Sequence, residues 1–261
     1  MPHISERELE LPEGIVHQLM EIASENKDII SLGIGEPDFI TPKPILDYAK
    51  KVIYKSSRYT APTGKHKLKE ALLKKLKKEN HILTSTENII VTTGSQQALF
   101  AVMLATLDPT EQVILPNPCY LGYIPIIDLV EATPIYVKLE EDNNFEINPE
   151  KIKEQIESGK TKAILINTPS NPTGTILSKK VLEEIATIAI ENDLYIFTDE
   201  AYERLVYDRK HISIGSLNGM QDYVASFYTF SKSYAMCGFR LGYCVVPDKL
   251  IKPVTRTSHY M

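Results

Sequence analysis

The sequence predicts an α/β protein of three layers, in which a mostly parallel seven-stranded sheet has helices on both faces. Short apolar runs of strand-forming residues alternate along the chain with stretches of helical periodicity, as in parallel sheets that are covered on both faces. The chain has 261 residues, of which 43% are hydrophobic, so it can bury a large core.

Seven segments have the composition of buried strands, being short and rich in apolar, β-branched or aromatic residues. They are residues 88–92, 112–115, 134–139, 163–167, 194–198, 225–229 and 242–246. In an open α/β sheet, ligands bind beyond the carboxyl ends of the strands. The polar residues that follow these segments are therefore the first candidates for a functional site.

Helical periodicity is clear in the segments 95–107 and 178–191, which lie between strands. The second has an apolar stripe formed by Val181, Ile185, Ile188 and Ala189. Residues 65–78 are rich in lysine, but a second stripe runs between the lysines, formed by Leu68, Leu72, Leu73 and Leu76. We therefore expect a solvated amphipathic helix there, rather than a membrane or nucleic-acid surface.

Composition and charge exclude several classes of protein. The net charge of -5 argues against a nucleic-acid partner that is held through its phosphates. The sequence has neither a signal-peptide pattern nor an apolar run of spanning length, so we expect no membrane partner. Cys119, Cys237 and Cys244 are sparse and lack metal-ligand spacing, so we expect no metal and a cytoplasmic protein.

The segment 93–98 (TGSQQA) follows the first predicted strand and opens a helix. The free backbone N–H groups and the positive end of the helix dipole would receive a phosphate there, and Gly94 would let the backbone come close. An ordinary helix cap formed by the Gly-Ser pair is the alternative.

The segment 167–174 (NTPSNPTG) follows another predicted strand. Its prolines and its glycine fix a turn, which can hold the Asn171 amide rigidly at the sheet edge. A purely structural turn would explain the prolines, but it does not require the two asparagines.

Asp199 directly follows the apolar segment 194–198, and Tyr202 comes shortly after it. A carboxylate in that position is costly unless it meets a cation or several hydrogen-bond donors. The alternative is an aspartate that caps a following helix.

Lys232 is the most informative residue of the chain. It lies in the segment 229–242 (TFSKSYAMCGFRLG), three residues after the hydroxyl of Thr229 and eight residues before the fixed cation of Arg240. These are the groups needed where an amine forms an imine with a phosphorylated cofactor. One chance match is common, but several motifs in this order are not.

The segment around Lys232 resembles the lysine signature of the class I and II aminotransferases, which are pyridoxal-phosphate enzymes of the aspartate aminotransferase fold. That signature usually has Ser or Gly where this chain has Thr229, and threonine keeps the hydroxyl. The order and spacing of the motifs resemble the family from about residue 30 onward, including the segments 33–39 (GIGEPDF) and 59–64 (YTAPTG). The resemblance implies the large domain of fold type I.

The resemblance also implies pyridoxal 5'-phosphate as the cofactor. Lys232 would form the internal imine, Asp199 would lie beside the pyridine nitrogen, and Tyr202 would complete the catalytic set. Asn171 and Tyr202 would lie near the ring hydroxyl. The phosphate would be bound by Gly94, Ser95, Gln96, Thr229 and Arg240.

Three further positions match the family. Tyr120 would stack on the cofactor ring, with an ordinary core tyrosine as the alternative. Gly35 would contact the substrate. Tyr59 would reach the phosphate of the neighbouring subunit, so the active site would need a homodimer.

The resemblance divides the chain into two parts. Residues 1–47 would be an N-terminal arm with part of a small domain, and residues 48–261 would be the large domain that binds pyridoxal phosphate. Family members continue into a C-terminal small domain with an arginine that binds the substrate α-carboxylate. No residue here matches that arginine, since Arg256 is too close to the large domain. We therefore expect a truncated sequence without the C-terminal small domain, and a poor aminotransferase by itself.

The function that the resemblance implies is transfer of an amino group between an L-amino acid and a 2-oxo acid through the imine on Lys232. Other enzymes of this fold share the cofactor residues, so a carbon-sulfur β-lyase or a cyclopropane-carboxylate synthase stays open. A non-catalytic, truncated module that binds pyridoxal phosphate also stays open, because the carboxylate arginine is unmatched.

Overall fold

The computed structural model describes residues 3–5, 8, 9, 11, 15–26, 28–33 and 35–261. Ile34 of the segment 33–39 and parts of the predicted N-terminal arm lie outside the described residues. None of the described helices is both long enough and apolar enough to cross a membrane.

Seven strands form one sheet, and each overlaps a predicted strand. They are β1 (Ile89–Thr92), β2 (Gln112–Asn117), β3 (Thr133–Lys138), β4 (Thr161–Asn167), β5 (Tyr195–Asp199), β6 (Val224–Thr229) and β7 (Gly242–Val245). Their spatial order is β1-β7-β6-β5-β4-β2-β3. β7 pairs antiparallel with β1 and β6, and the other pairs are parallel, so the sheet is mostly parallel, as predicted.

Helices flank and connect these strands. In the described chain they include α1 (Ile15–Glu25), α2 (Lys43–Val52), α3 (His66–Lys75), α4 (Gly94–Thr106), α5 (Tyr123–Leu129), α6 (Pro149–Glu154), α7 (Lys179–Glu191), α8 (Phe230–Ser233) and α9 (Asp248–His259). A π-helix, Leu76–Asn80, continues α3. Short 3-10 helices lie at Ile53–Lys55, Glu141–Asn143, Ile214–Ser216, Met220–Asp222 and Cys237–Phe239.

The strands bury both of their faces, because successive side chains point to opposite sides. In β4, Ala163 and Leu165 pack into one core cluster with residues of α4, α5 and α9. Ile164 and Ile166 pack into a second cluster with residues of α6 and α7. This burial on both sides explains why the strands are nearly continuous apolar runs, and it produces the three predicted layers.

A third cluster joins α3 to the end of the sheet that carries β1 and β7. Leu72 and Leu76 of the predicted leucine stripe pack there against Ile89, Tyr228 and Tyr243. The lysine-rich segment is therefore an amphipathic helix that covers the sheet, as predicted.

A buried polar network surrounds Glu200, the residue that follows β5. Its Oε2 accepts hydrogen bonds from Ser213 Oγ at 2.5 Å and from Tyr228 Oη at 3.1 Å, and it lies 2.8 Å from His211 Nε2. Asn80, at the end of the π-helix, donates to the Ser213 hydroxyl at 2.9 Å. The network ties the end of β5 to the π-helix.

The carboxyl ends of β1, β4, β5 and β6 lie at one edge of the sheet, because these strands run in the same direction. The N-terminal segment reaches the same edge, where the hydroxyl of Thr41 donates to the carbonyl of Ala235 at 2.5 Å. This is the edge at which open α/β sheets bind their ligands.

Candidate active site

A cavity of about 580 Å³ lies at this edge of the sheet. Its lining contains eleven of the twelve site residues predicted from the sequence: Gly35, Gly94, Ser95, Gln96, Tyr120, Asn171, Asp199, Tyr202, Thr229, Lys232 and Arg240. The twelfth, Tyr59, is not among the lining residues, and its side chain is fully exposed. The fold thus brings together residues from segments far apart in sequence, while the role of each stays a prediction.

One end of the cavity is rich in hydrogen-bond donors. α4 begins there at Gly94 and has no side-chain cap, so its first backbone N–H groups are available to a ligand. The Gly-Ser pair therefore does not cap the helix. Gly94 has a φ of 76°, and a Cβ at this position would lie 2.8 Å from Arg240 Nη2. The guanidinium of Arg240 consequently lies directly against the start of α4.

Arg240 and Thr229 complete this end of the cavity. Arg240 has a left-handed backbone with a φ of 50°, and its Nη1 donates to the carbonyl of Cys237 at 3.0 Å. Thr229 ends β6, and its Oγ1 accepts a hydrogen bond from the N–H of Ser231 at 3.1 Å. A guanidinium, hydroxyl groups and free backbone amides together have the chemistry of a phosphate site.

Lys232 lies on α8, the short helix that follows β6. Its Nζ donates to the backbone carbonyl of Gly35 and lies 5.8 Å from the centre of the Tyr202 ring. A Cβ at Gly35 would lie 3.3 Å from Tyr202 Oη and 3.8 Å from Lys232 Nζ. The N-terminal segment therefore closes the cavity beside the lysine amine.

Asp199 is the last residue of β5 and is buried, with 6% of its surface exposed. Its Oδ1 accepts from the N–H of Ala201 at 3.0 Å, and its Oδ2 accepts from the hydroxyl of Tyr123 at 2.8 Å. Burial raises the pKa of Asp199 above its ordinary value, although both hydrogen bonds and the Lys232 amine oppose this shift. The residues that follow form a turn rather than a helix, so Asp199 does not cap a helix.

The two asparagines of the segment 167–174 have different contacts. Asn167 braces the turn, because its Oδ1 accepts from the N–H of Asn171 at 2.6 Å and its Nδ2 donates to the Asp199 carbonyl at 2.9 Å. Asn171 Nδ2 instead donates to Tyr202 Oη at 3.3 Å. Burial and the Asp199 charge raise the pKa of Tyr202, so its hydroxyl is protonated near neutral pH.

Tyr120 forms one wall of the cavity. Its side chain is 37% exposed, so it is not a core tyrosine. Its ring meets the ring of Tyr123 edge-on, with 5.2 Å between the centroids and 82° between the planes. A Cβ at Gly122 would lie 2.4 Å from the Tyr120 ring, so glycine leaves the space that this ring fills.

Tyr123, which was not predicted from the sequence as a site residue, is fully buried and contacts Asp199. Its position three residues after Tyr120 was a signal, since such a spacing near a helix start can place two side chains on one side. A tyrosine at that position is also an ordinary core residue, so its partner could not be read from the sequence. Two cysteines line the cavity as well, and burial raises the pKa of Cys119 to about 11, so its thiol is neutral.

The side chains present fit pyridoxal 5'-phosphate. An open helix start with Arg240 suits a phosphate, the Asp199 carboxylate suits a protonated ring nitrogen, and the Lys232 amine suits an aldehyde. Gly35 and Gly94 stand where a Cβ would crowd the Tyr202 hydroxyl and the Arg240 guanidinium, respectively.

Comparisons with known proteins agree with this chemistry. The model of the family described as aminotransferase class I and II matches residues 27–261. The chain is 41% identical to an aspartate aminotransferase of Pyrococcus abyssi over 94% of this chain and 64% of the relative. It is 39% identical to aromatic-amino-acid aminotransferase 2 of Thermococcus litoralis, again over 94% of this chain and 64% of the relative.

A solved structure of aspartate aminotransferase from Thermus thermophilus with maleate superposes with a TM-score of 0.95 at 32% identity. The match covers 100% of this chain and 69% of that chain. The chain therefore spans about two thirds of the length of the relatives that it matches.

Proposed function

The chain belongs to the class I and II aminotransferases, and on that premise we propose that its site moves an amino group between an L-amino acid and a 2-oxo acid. Its sheet is that of the large domain of the aspartate aminotransferase fold, and enzymes of this family depend on pyridoxal 5'-phosphate. The observation that carries the proposal is the meeting of Lys232, Asp199 and Arg240, from three separate segments, in one cavity.

Each of these residues has a proposed role in holding the cofactor. Arg240, Ser95, Gln96, Thr229 and the first amides of α4 would bind its phosphate. Arg240 keeps its charge at any accessible pH and can present two donors to one phosphate.

The other end of the cavity would hold the cofactor ring. Asp199 would face the ring nitrogen, Asn171 and Tyr202 would donate to the ring oxygen, and Tyr120 would stack against the ring. When bound, the cofactor supplies an aldehyde that bonds to amines and a protonated ring that accepts electrons. Lys232 would hold the aldehyde carbon, and its Nζ, once displaced by the substrate, would take the proton from the substrate Cα.

The Lys232 amine is already held by a hydrogen bond within the chain. The Gly35 carbonyl accepts from Lys232 Nζ, so the N-terminal segment already orients the amine. We propose that Gly35 contacts the substrate after the amine has been displaced.

We propose further that the protein acts as a homodimer in the cytoplasm. Tyr59 matches a family residue that serves the neighbouring site, and its full exposure leaves its hydroxyl free to do so. Cys119, Cys237 and Cys244 are all free, as is usual in a reducing compartment. The boundary between an N-terminal arm with part of a small domain, residues 1–47, and a large domain, residues 48–261, also stays a proposal. Helix α2 runs through this boundary.

The test is chemical trapping at Lys232. Borohydride reduction of the chain with pyridoxal phosphate, followed by peptide mapping, should place the pyridoxyl group on Lys232, because among the described lysines this one lines the cavity together with Asp199 and the phosphate donors. Lys249, a lysine outside the cavity, serves as the control through Lys249→Ala, which should label normally. A label on another lysine, or none with excess cofactor, would overturn the proposal.

Cofactor binding without efficient turnover is the second candidate for the 261 residues. Among the described residues that line the cavity, Arg240 is the one arginine, and its place at the start of α4 commits it to the phosphate. Products separate the candidates when an amino acid and 2-oxoglutarate are supplied. Transfer yields glutamate, β-lyase chemistry yields ammonia with a keto acid, and a binding module yields neither.

A further inference from the structure

A buried tyrosine contacts the most deeply buried charged group of the site. Tyr123 is the first residue of α5, has no exposed surface, and donates its hydroxyl to Asp199 Oδ2 at 2.8 Å. The two residues are separated by 76 positions, so only the fold brings them together. None of the roles proposed above involves Tyr123.

The hydrogen bond from Tyr123 fixes how the carboxylate is turned. Asp199 Oδ1 is held by the N–H of Ala201 at 3.0 Å, and Oδ2 is held by Tyr123. Each carboxylate oxygen has two acceptor sites, so each keeps the capacity to accept one more donor, and Asp199 lines the cavity. The side chain is therefore oriented before any ligand arrives.

Tyr123 also favours the ionised form of Asp199. Burial raises the pKa of Asp199 and the charge of Glu200 adds to the rise, whereas the Tyr123 hydrogen bond, the Ala201 N–H and Lys232 lower it. Tyr120 and Tyr202 are the other titratable groups that respond to the Asp199 charge. Burial raises the pKa of Tyr123 well above its ordinary value, so it is a neutral donor at working pH.

We propose that Tyr123 is a positioning residue that acts through Asp199. Its hydroxyl holds the carboxylate ionised and turned toward the cavity, so that a protonated ring nitrogen meets a fixed negative charge. The inference rests on the proposed function, because it takes Asp199 as the partner of the cofactor ring.

The chain offers a closely matched control in Tyr228. This tyrosine is also buried and donates to a buried carboxylate, Glu200 Oε2, at 3.1 Å. Asp199 and Glu200 are successive residues, so their side chains leave the chain on opposite sides. Tyr123→Phe and Tyr228→Phe therefore remove equivalent hydroxyls, of which only one contacts Asp199.

The first measurement uses the cofactor-free chain. Carbon-13 NMR of labelled aspartate carboxyls follows Asp199 with pH, and Asp199→Asn identifies its signal. In Tyr123→Phe the titration midpoint should move up by about one pH unit or more, because a hydrogen bond to the ionised form is lost. In Tyr228→Phe the midpoint should stay where it is. An unmoved midpoint in Tyr123→Phe, with both variants equally destabilised, would show that Tyr123 is only a packing residue.

The second measurement is the affinity for pyridoxal phosphate across the same pH range. In the unmodified chain, the affinity should fall about tenfold as Asp199 takes up a proton, and this fall should begin at higher pH in Tyr123→Phe. If the midpoint moves but the fall in affinity does not follow it, Tyr123 does not act on the cofactor and the inference is wrong.

Asp199→Asn separates this inference from the proposed function. If Asp199→Asn keeps full affinity and the same pH profile, Asp199 does not face the cofactor ring and the proposed role of Asp199 fails. If Asp199→Asn abolishes the fall while Tyr123→Phe leaves it in place, only the inference about Tyr123 fails.

Discussion

The Asp199 carboxylate carries a charge that its surroundings only partly support. Burial disfavours the ionised form of Asp199. The hydrogen bonds from Tyr123 and Ala201 and the amine of Lys232 favour the ionised form and offset part of this effect. A cation in the cavity would supply the rest. Acids with perturbed pKa values cluster at functional sites, and Asp199 lies in a cavity that Lys232 also lines.

Replacing Asp199 should therefore affect turnover more than cofactor binding. In a form of the protein with measurable turnover, we expect Asp199→Asn to lower the rate by at least ~100-fold, consistent with loss of a charge-assisted contact of ~3 kcal/mol. The affinity for pyridoxal phosphate should fall only about tenfold, because the phosphate contacts remain. Steady-state rates and cofactor titrations on the same preparations measure both quantities. The control is Asp193→Asn, at an exposed aspartate just before β5, and its rate should be unchanged. A near-normal rate in Asp199→Asn would contradict the proposed contact between Asp199 and the ring nitrogen.

At this scale, the sequence predicted the kinds of groups but not all of their contacts. Amine, carboxylate and guanidinium were recognisable because their chemistry is specific and each follows a strand or lies in a motif. The hydrogen bond from Tyr123 to Asp199 and the one from Lys232 to Gly35 span 76 and 197 positions. Contacts of that separation depend on how the elements pack, which local patterns do not contain.

At the scale of elements, the phosphate end of the cavity depends on the close approach of β7 to α4. Gly242 begins β7, and a Cβ there would lie 2.5 Å from both the carbonyl carbon of Gly94 and the nitrogen of Ser95. Both atoms belong to the backbone of the helix start, so neither can turn away as a side chain would.

Gly242→Ala should consequently displace the start of α4. We expect a loss of about 1–3 kcal/mol in stability, as for other overpacked sites, and at least about tenfold weaker binding of pyridoxal phosphate. Pyridoxal, which lacks the phosphate, should lose much less affinity. Urea denaturation and titration with both compounds measure these effects.

Gly238→Ala is the matched control, because it lies in the same segment and a Cβ there would meet no atom within 4 Å. It should leave stability and both affinities nearly unchanged. Equal losses for pyridoxal and its phosphate in Gly242→Ala would show that this junction does not form the phosphate site.

The elements themselves were largely predictable, and the differences have local causes. The second predicted strand ended at residue 115, just before Pro116, and a proline cannot donate a hydrogen bond within a sheet. In the structure β2 continues to Asn117, since Pro116 and Asn117 still pair in register with Val137 and Lys138 of β3. The partner strand therefore overrides the local preference.

At the scale of the whole molecule, alternating strands and helices predicted the layers but not the order of the strands. Buried parallel strands have the same apolar composition wherever they lie in the sheet. The place of β7 between β1 and β6, and its opposite direction, arise from pairing between segments that are distant in sequence. No pattern within β7 encodes them.

Exposed apolar side chains among the described residues also support the proposed dimer. Several large apolar side chains in the part of the chain that precedes Tyr59 are exposed, among them Leu32, Phe39, Ile40, Ile53 and Tyr54. Large exposed apolar areas of a protein surface commonly mark sites of interaction with another protein. Tyr59 itself makes no contribution to the cavity of its own chain.

If Tyr59 serves the neighbouring site, its loss should be repaired by a partner that retains it. Tyr59→Phe should form dimers but bind pyridoxal phosphate at least about tenfold more weakly, because a hydrogen bond to the phosphate is missing. Tyr207→Phe, at a tyrosine that is 89% exposed, is the control and should bind normally.

Mixed dimers of Tyr59→Phe with Lys232→Ala then test whether Tyr59 acts in the site of the neighbouring subunit or in the site of its own subunit. One site of each mixed dimer combines the Lys232 of the first chain with the Tyr59 of the second, so it should bind the cofactor with normal affinity and trap it on the Tyr59→Phe chain. Weak trapping on that chain in every mixture would show that Tyr59 acts within its own subunit or not at all.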